Sequence, residues 1–272
     1  MSRRVLKLGG ELLEDHARLQ ALAGVIARAA ASAPLAVVHG GGREIDAALH
    51  RAGVQKRQVE GLRVTDDATL GVVVEVLAGA VNTRLVAALN VAGARAVGLT
   101  GADASLVVVR RADPHRTVEG TEVDLGYVGQ PAGGGSPQLL VDLVAAGYLP
   151  VVASIGMSPG GVLYNVNADT LSADLAARFG ARVLVIAGAT AGVLDETGRT
   201  IDRLDRTAIA HLIASKVAHA GMVAKLRACE DALARGVAEV VLMDGRDPAA
   251  LEAMLAADPG ARPGPAVTRL VA

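Results

Sequence analysis

The feature that most constrains the fold is a regular alternation of short apolar runs with longer segments of helical period. The runs predict strands at Val5–Leu8, Leu35–Val38, Arg95–Leu99, Leu149–Ala153, Val183–Ile186 and Val237–Met243. The Ala-, Leu- and Arg-rich segments predict helices at Asp15–Ala31, Glu44–Ala52, Ala68–Ala92, Gln138–Ala146, Thr170–Phe179, Ala208–Ser215 and Met222–Ala234. Uniformly apolar strands that alternate with helices are typical of a mainly parallel sheet covered on both faces. We therefore expect an α/β fold, built as an αβα sandwich.

Two stretches interrupt this alternation. Residues 106–130 mix Val with polar residues and predict antiparallel strands, and residues 156–165 predict a hairpin around Ser158-Pro159-Gly160-Gly161. A glycine-rich turn then ends at Ser136, the predicted N-cap of the next helix. That turn is too short to separate domains. We expect one domain over residues 1–272, with a second lobe from about Leu171 that shares the same sheet.

Charge and composition exclude several function classes. Lys plus Arg number 27 against 28 Asp plus Glu, so the net charge of -1 creates no strong field for nucleic acid or an anionic membrane. Aromatic residues make up 1% of the chain and Trp is absent, which argues against stacking platforms for single-stranded nucleic acid. No apolar run reaches about 18 residues, so we expect no membrane span. A single cysteine, Cys229, excludes an internal disulfide and a Cys-based metal site, and is typical of a cytoplasmic protein.

Glycine-rich turns follow the first two predicted strands. The first strand ends in Lys7-Leu8-Gly9-Gly10 and the second in His39-Gly40-Gly41-Gly42. Glycine permits close approach and positive φ, successive amides form an anion nest, and a lysine adds charge. Taken alone, Lys7 is equally well explained as a solvated residue of a tight turn. Because parallel strands end at the same edge of a sheet, the two turns together predict a site for a phosphate-bearing ligand, although neither has the sequence of a Walker A or dinucleotide motif.

Three later motifs place polar side chains close to predicted helix starts. Arg63 precedes a helix and can bind a carboxylate through two parallel hydrogen bonds, or be an ordinary surface arginine. Asn165 and Asn167 lie on one side of an extended segment, and Asp169 follows at a helix N-terminus, where it can also serve as a cap. Lys225 lies about one turn into a later helix and can point past its N-terminus toward an anion, or into solvent.

In this order, the segments resemble the acetylglutamate kinases of the amino-acid kinase family. The segments are Lys7–Gly10, His39–Gly42, Gly61–Thr65, Asn165–Asp169 and Gly221–Lys225, within a resemblance that extends to about Gly245. The resemblance implies transfer of the γ-phosphoryl group of ATP, with Mg²⁺, to the side-chain carboxylate of N-acetyl-L-glutamate in arginine biosynthesis. It also implies a substrate-binding lobe over residues 1–170 and a nucleotide-binding lobe over residues 171–272.

The resemblance assigns roles residue by residue. Lys7 and Lys225 are the implied transition-state cations, and Asp169 holds them in position. The implied binding residues are Gly41, Gly42, Arg63 and Asn165 for the substrate, and Gly9, Gly10, Gly188, Thr190, Gly192 and Gly221 for the nucleotide; no metal ligand is among the motif residues. The chemistry is consistent, because a carboxylate with a pKa of about 4.3 is already ionised at neutral pH and needs no general base. Positive charge and alignment are what the site must supply, so His39 is expected to be structural.

The chain departs from the family pattern in several places, including Gly101-Ala102-Asp103-Ala104 in place of Gly-x-Asp-Gly and a C-terminal segment, Gly260–Ala272, without a clear Gly-x-Gly-Thr ending. Relatives usually carry a Leu-[Ser/Thr]-Asp-Val-x-Gly loop for the nucleotide, whereas residues 186–193 read Ile-Ala-Gly-Ala-Thr-Ala-Gly-Val, without the aspartate. The first strand begins at Val5, which leaves no room for the N-terminal helix through which arginine-sensitive relatives form hexamers. We therefore expect a homodimer without feedback by arginine, whose other partner is the small-molecule substrate.

Two alternatives stay open at this point. A related kinase acting on carrier-linked aminoadipate, or on free glutamate or aspartate, shares the Arg63 and Asn165 motifs, although the triple glycine of residues 40–42 favours the acetylglutamate type. A non-catalytic ligand-binding homologue is supported by the altered loop. The presence of Lys7, Asp169 and Lys225 counts against it.

Overall fold

The computed structural model describes residues 2–117, 119–214, 220–258, 260–261 and 267–271. Its strands are β1 (Arg4–Leu8), β2 (Leu35–His39), β3 (Gln58–Val59), β4 (Leu62–Arg63), β5 (Ala96–Thr100), β6 (Val109–Arg111), β7 (His115–Arg116), β8 (Glu122–Val123), β9 (Val128–Pro131), β10 (Leu149–Ala153), β11 (Ile155–Met157), β12 (Leu163–Val166), β13 (Val183–Gly188), β14 (Arg203–Leu204), β15 (Glu239–Asp244) and β16 (Val267–Val271). Its helices are α1 (His16–Ser32), α2 (Gly42–Arg51), α3 (Asp67–Val74), α4 (Asn82–Val91), α5 (Gln138–Ala145), α6 (Ala168–Phe179), α7 (Arg206–Ala214), α8 (Ala220–Ala234) and α9 (Pro248–Ala256). A π-helical segment, Glu75–Val81, joins α3 to α4.

The central sheet has eight strands in the order β14-β16-β15-β13-β1-β2-β10-β5. Neighbouring strands are parallel except β15 and β16, which are antiparallel. This confirms the predicted mainly parallel α/β sheet. The chain passes from β1 to β2 on one side and returns to β13 on the other, so the carboxyl end of β1 lies at a switch point, where α/β proteins bind ligands.

Apolar cores cover both faces of the sheet, as the strand pattern predicted. Leu6 and Leu8 of β1 belong to the core that includes residues of α1, whereas Val5 belongs to the core that includes residues of α6 and α8. Because side chains alternate along a strand, Lys7 emerges on the same face as Val5. The lysine is thereby directed toward the helices that carry Asp169 and Lys225.

A second sheet and a short hairpin lie beside the carboxyl edge of the central sheet. The second sheet has the order β11-β12-β9-β6, and its β11–β12 pair is the hairpin predicted over residues 156–165. Strand β6 is antiparallel to β9, as predicted for residues 106–130. Strand β12 carries Asn165, and the β3–β4 hairpin carries Arg63. These excursions supply side chains to the end of the central sheet.

Some local predictions were wrong or incomplete. Pro137, not Ser136, occupies the N-cap position of α5, although the Ser136 hydroxyl still accepts a hydrogen bond from the Gln138 N–H at 3.2 Å. Helix α9 and strand β16 were not predicted. Helix α9 had a readable signal, because Asp247 caps it and Pro248 begins it. Ser215, the predicted end of the helix before α8, lies outside the described residues.

The continuous helix Asp67–Val91 is unusually apolar. Among the described residues it is the one helix whose length and composition would allow it to cross a membrane, and 44% of its most apolar stretch is buried within the chain. Its α4 segment packs against α1 and β5. Small residues occupy much of the opposite face, including exposed Gly79 and Ala80.

Candidate active site

The two glycine turns touch each other at the carboxyl edge of the sheet. A Cβ on Gly10 would lie 2.6 Å from the Gly41 Cα, so the two backbones approach as closely as glycine allows. The Gly9 N–H donates to the Ala187 carbonyl at 2.8 Å, and the Gly40 N–H donates to the Leu8 carbonyl at 3.2 Å. The expectation of positive φ was wrong here, because Gly9 has φ −64° and Gly41 has φ −176°. Close packing, rather than left-handed backbone, requires glycine at position 10.

His39 supports the second turn from within the core. Its side chain is fully buried, its Nδ1 lies 3.1 Å from the Gly40 carbonyl oxygen, and its Nε2 lies 3.0 Å from the Asn82 amide nitrogen. Asn82 also donates to the Val151 carbonyl at 3.0 Å, so it joins β2 to β10. Burial, helped by the nearby Arg84 charge and opposed by the hydrogen bond with Gly40, lowers the pKa of His39 to about 4. A neutral histidine that donates to Gly40 and accepts from Asn82 fits the predicted structural role.

Lys7 and Asp169 form the ion pair expected from the motifs. The Lys7 Nζ lies 2.8 Å from an Asp169 carboxylate oxygen, and both side chains are largely buried. Burial works to raise the pKa of Asp169, but Lys7 and Lys225 outweigh it and hold that pKa below its usual value. Asn167 caps α6 by accepting from the Asp169 and Thr170 N–H groups. Asn167, rather than Asp169, is therefore the cap of α6, which leaves the Asp169 carboxylate free to bind Lys7.

Lys225 approaches the same edge from α8. Its Nζ lies 3.8 Å from where a Cβ on Gly188 would be, at the carboxyl end of β13. The positive charge of Lys225 also acts on Asp169, where it helps to lower the pKa of the carboxyl group. Helices α6 and α8 pack against each other, and this contact sets the position of Lys225 relative to Asp169. The predicted catalytic residues, Lys7, Asp169 and Lys225, are thus brought together.

A cavity of about 280 Å³ opens beside the glycine turns. Its lining includes Lys7, Gly9, Gly10, Gly41, Gly42, Arg63, Asn165 and Asp169 from the predicted site. Glu11, Ser154 and Asn167 also line it. The cavity therefore contains all the predicted substrate-binding residues and two of the three predicted catalytic residues.

Arg63 presents an unpaired donor within this lining. Its Nη2 donates to the Gly42 carbonyl at 3.2 Å and pairs with Asp46, which ties the β3–β4 hairpin to α2. Its Nη1 is buried and has no hydrogen-bond partner among the described residues. A buried guanidinium N–H without an acceptor is costly, so an anionic ligand is expected to complete its coordination. Asn165 lies nearby in the lining, where its amide donates to the Thr65 hydroxyl at 3.2 Å.

The residues predicted to bind nucleotide divide into two groups. Gly9 and Gly10 line the cavity, whereas Gly188, Thr190, Gly192 and Gly221 are not part of its described lining. Gly192 has φ +119°, and a Cβ there would lie 2.4 Å from the Thr268 Oγ1, so the turn and its contact with β16 require glycine. Thr190 and Gly221 are exposed. A nucleotide role for these four positions stays a prediction.

Sequence reasoning missed Glu11. Its carboxylate accepts a hydrogen bond from the Ala189 N–H at 3.0 Å and also borders the cavity. The available signal was an acidic residue directly after Gly9-Gly10, where an anion-binding turn would not be expected to carry negative charge. Ser154, buried at the end of β10, had no comparable signal.

Comparison with known proteins places the chain among kinases of small molecules. A profile of the amino acid kinase family matches residues 2–244. The chain is 42% identical over 255 residues to the acetylglutamate kinase of Solibacter usitatus, covering 93% of this chain and 95% of that protein. It is 39% identical over 253 residues to the acetylglutamate kinase of Sphingopyxis alaskensis, covering 91% of this chain and 83% of that protein.

Solved structures show the same fold. N-acetylglutamate synthase from Neisseria gonorrhoeae, complexed with coenzyme A and N-acetyl-glutamate, superposes with a TM-score of 0.82 at 24% identity. The match covers the whole of this chain but only 59% of the synthase chain. Giardia carbamate kinase gives a TM-score of 0.70 at 14% identity, over 99% of this chain and 98% of that one. Since the profile covers most of the chain and the sheet is shared with these structures, the chain belongs to the amino acid kinase family.

Proposed function

We propose that the chain transfers the γ-phosphoryl group of ATP to the side-chain carboxylate of N-acetyl-L-glutamate, forming N-acetyl-L-glutamyl 5-phosphate for arginine biosynthesis. The observation that carries this proposal is one cavity lined by two cationic side chains, Lys7 and Arg63, the second with an unpaired buried donor. The names of the relatives from Solibacter and Sphingopyxis support the same acceptor.

The cavity suits an acidic substrate whose amino group is blocked. Arg63 offers its free Nη1 to the α-carboxylate, while the side-chain carboxylate of the substrate lies toward Lys7 and the glycine turns. The carboxylates in the described lining are already engaged, Asp169 by Lys7 and Glu11 by the Ala189 N–H. A free α-ammonium group would therefore find no uncommitted acidic partner there. An N-acetyl group avoids that cost.

The chemistry requires charge neutralisation more than proton transfer. The attacking carboxylate is ionised at neutral pH, so no general base is needed. Lys7 and Lys225 would balance the charge that spreads over the transferring phosphoryl group, and Asp169 would hold both ammonium groups at the sheet edge. Amides of the two touching glycine turns would align the acceptor and the phosphates.

ATP and Mg²⁺ are the implied partners of these residues. The described residues contain no cluster of three or more His, Cys, Asp or Glu side chains able to hold a metal. In kinases, Mg²⁺ is held largely by substrate phosphates and water rather than by a protein cage. Bound with the nucleotide, it would neutralise part of the phosphate charge. We assign nucleotide binding to residues 171–272 and acceptor binding to residues 1–170, which meet at the β1–β13 pair.

We also propose that two copies associate through the sheet edge formed by β5 and the adjoining outer face of helix Asp67–Val91. Strand β5 is the last strand of the central sheet, and Val91 beside it is 82% exposed. Such an edge and an apolar helix face favour burial against a second copy. Sedimentation should give twice the mass of the chain. Gly79→Arg, at an exposed position with open space around it, should shift the protein to monomer.

A hydroxamate assay for acyl phosphate tests the proposed reaction. Purified protein with Mg-ATP is offered N-acetyl-L-glutamate, glutamate, aspartate and aminoadipate in parallel. A signal with N-acetyl-L-glutamate alone is expected. Signal with a free amino acid would overturn the acceptor assignment, and silence with all four from folded protein would favour a carrier-linked acceptor or a non-catalytic role.

A further inference from the structure

The Glu11 carboxylate lies where the proposed nucleotide-binding residues at the end of β13 meet the first glycine turn. It contacts the positions that Cβ atoms on Gly9 and Gly188 would occupy, so it lies between the ends of β1 and β13. The Lys225 Nζ borders the same Gly188 position at 3.8 Å, whereas the nearest Glu11 oxygen borders it at 3.3 Å. The carboxylate thus lies, with the proposed catalytic cation Lys225, at the first residue of the segment Gly188–Gly192, called the nucleotide loop below.

The hydrogen bonds of the nucleotide loop show what Glu11 does there. The Gly188 carbonyl accepts from the Gly245 N–H at 2.8 Å, and the Val193 N–H that follows the loop donates to the Thr268 hydroxyl at 2.8 Å. Between these two points, the Ala189 N–H donates to Glu11 at 3.0 Å. The middle contact comes from the first glycine turn, whereas the other two come from the residue that follows β15 and from β16. Glu11 therefore couples the loop to the acceptor half of the site.

Electrostatics alone would disfavour an acid at this position. A carboxylate next to a triphosphate site repels the ligand even in bulk water. A hydrogen bond from a backbone N–H to an ionised acceptor is stronger than a neutral one and fixes the loop geometry. An acid at position 11 is thus explained if fixing the loop strengthens nucleotide binding more than the charge repulsion weakens it.

We propose that Glu11 is a positioning residue for the nucleotide loop, acting through its hydrogen bond to Ala189. This inference rests on the proposed function for the identity of the ligand as a nucleotide, but not for the identity of the acceptor. It predicts that loss of the acceptor atom at position 11 weakens nucleotide binding, whereas loss of the negative charge alone does not, because the weaker hydrogen bond is offset by the repulsion that is removed. Glutamine retains the acceptor and removes the charge, whereas alanine removes both.

The experiment measures binding of Mg-ADP to the full-length protein by titration calorimetry, without any acyl acceptor. The Kd of Glu11→Ala should rise about tenfold, as expected for loss of a charge-assisted hydrogen bond. Glu11→Gln should bind as tightly as the unmodified chain or more tightly, because the repulsion is relieved. Glu14→Ala, an acidic residue of the same segment that pairs with Arg43, serves as the matched control and should leave Kd unchanged.

Kinetics then separate positioning from general damage. In Glu11→Ala the KM for ATP should rise while the KM for the acceptor changes less than about twofold, and Glu11→Gln should restore both. Unchanged or tighter Mg-ADP binding in Glu11→Ala would overturn the proposal. Equal losses of Mg-ADP affinity in both variants that shrink at higher Mg²⁺ would also overturn it, because they would mean that the carboxylate acts by binding the metal. Failure of the proposed acceptor in the hydroxamate assay would leave the Mg-ADP measurement intact, so the two failures are distinguishable.

Discussion

The acceptor side and the nucleotide side of the site are built in different ways. On the acceptor side, backbone meets backbone: Gly10 packs on Gly41, and buried His39 and Asn82 support the turn from below. On the nucleotide side, side chains hold the loop, since Glu11 binds Ala189 and Thr268 binds Val193. The first arrangement is rigid because a buried, close-packed turn has no room to move. The second depends on single side-chain hydrogen bonds, one part-buried and one buried.

This difference suggests how each side tolerates change. A substitution on the acceptor side should affect stability and acceptor binding together, because the turns form part of the core. A substitution on the nucleotide side should affect ATP binding with little loss of stability. Lys7 and Lys225 act on both sides, so substitutions of these lysines should follow neither pattern.

The largest effect is expected from the two lysines. Lys7→Ala and Lys225→Ala should each lower kcat by roughly 10²- to 10³-fold, because each removes a preorganised charge from the transition state. Stopped hydroxamate assays at saturating Mg-ATP and N-acetyl-L-glutamate measure this loss. Arg28→Ala, which removes an exposed pair with Glu252, is the control for loss of a surface cation. A lysine variant that keeps more than a tenth of kcat would remove that lysine from the proposed chemistry.

Buried His39 should make the acceptor side sensitive to acid. Its folded pKa of about 4 is below the ordinary value of 6.5, so the unfolded chain binds an extra proton between these values. Stability should fall as the pH drops from 6.5 toward 4, by on the order of 3 kcal/mol. Urea denaturation at several pH values measures the slope. His39→Gln should lose that slope and His50→Gln, an exposed site, should keep it; the same slope in both would refute the assignment.

A substitution of Arg63 tests whether a change on the acceptor side affects acceptor binding without affecting ATP binding. Arg63→Lys should raise the KM for N-acetyl-L-glutamate about 10- to 100-fold, because lysine cannot keep the bonds to Gly42 and Asp46 and also present a further donor to the substrate carboxylate. The KM for ATP should change less than about twofold. Steady-state kinetics with each substrate varied in turn provide both values, with exposed Arg51→Lys as the control. A larger change in the KM for ATP would break the division between the two sides.

Local pattern predicted more of the acceptor side than of the nucleotide side. The apolar period of β1 and β2 sufficed to place the glycine turns at one edge and Lys7 on the face of α6, because strands alternate whatever their partners are. The contact between Thr268 and Val193 joins residues 75 positions apart, and no local pattern announces it. For the same reason, Glu11 was missed from the sequence, and the capping of α6 by Asn167 was not predicted. Their roles depend on which N–H group the fold brings to them.

A smaller effect is expected where the glycine turns touch. Gly10→Ala should destabilise the protein by about 1–3 kcal/mol, because its Cβ would overlap the Gly41 backbone and both turns would have to shift. Gly42→Ala is the matched comparison for stability, since a Cβ there meets nothing within 4 Å. The free energies of unfolding in urea measure both. Equal stability of the two variants would mean that the turns are not rigid, which would contradict the contrast drawn between the two sides.

The smallest effect is expected at Thr268, behind the nucleotide loop. Thr268→Val keeps the shape of the side chain but leaves the Val193 N–H without its acceptor, so the loop should relax at a cost of about 1 kcal/mol. The KM for ATP should rise roughly fivefold, while the KM for N-acetyl-L-glutamate stays the same. Thr268→Ser, which restores the hydroxyl, should return the KM for ATP to its original value. If both KM values rose together, the loop would be coupled to the acceptor turns through the sheet. The contrast between a close-packed acceptor side and a nucleotide side held by single side-chain hydrogen bonds would then be wrong.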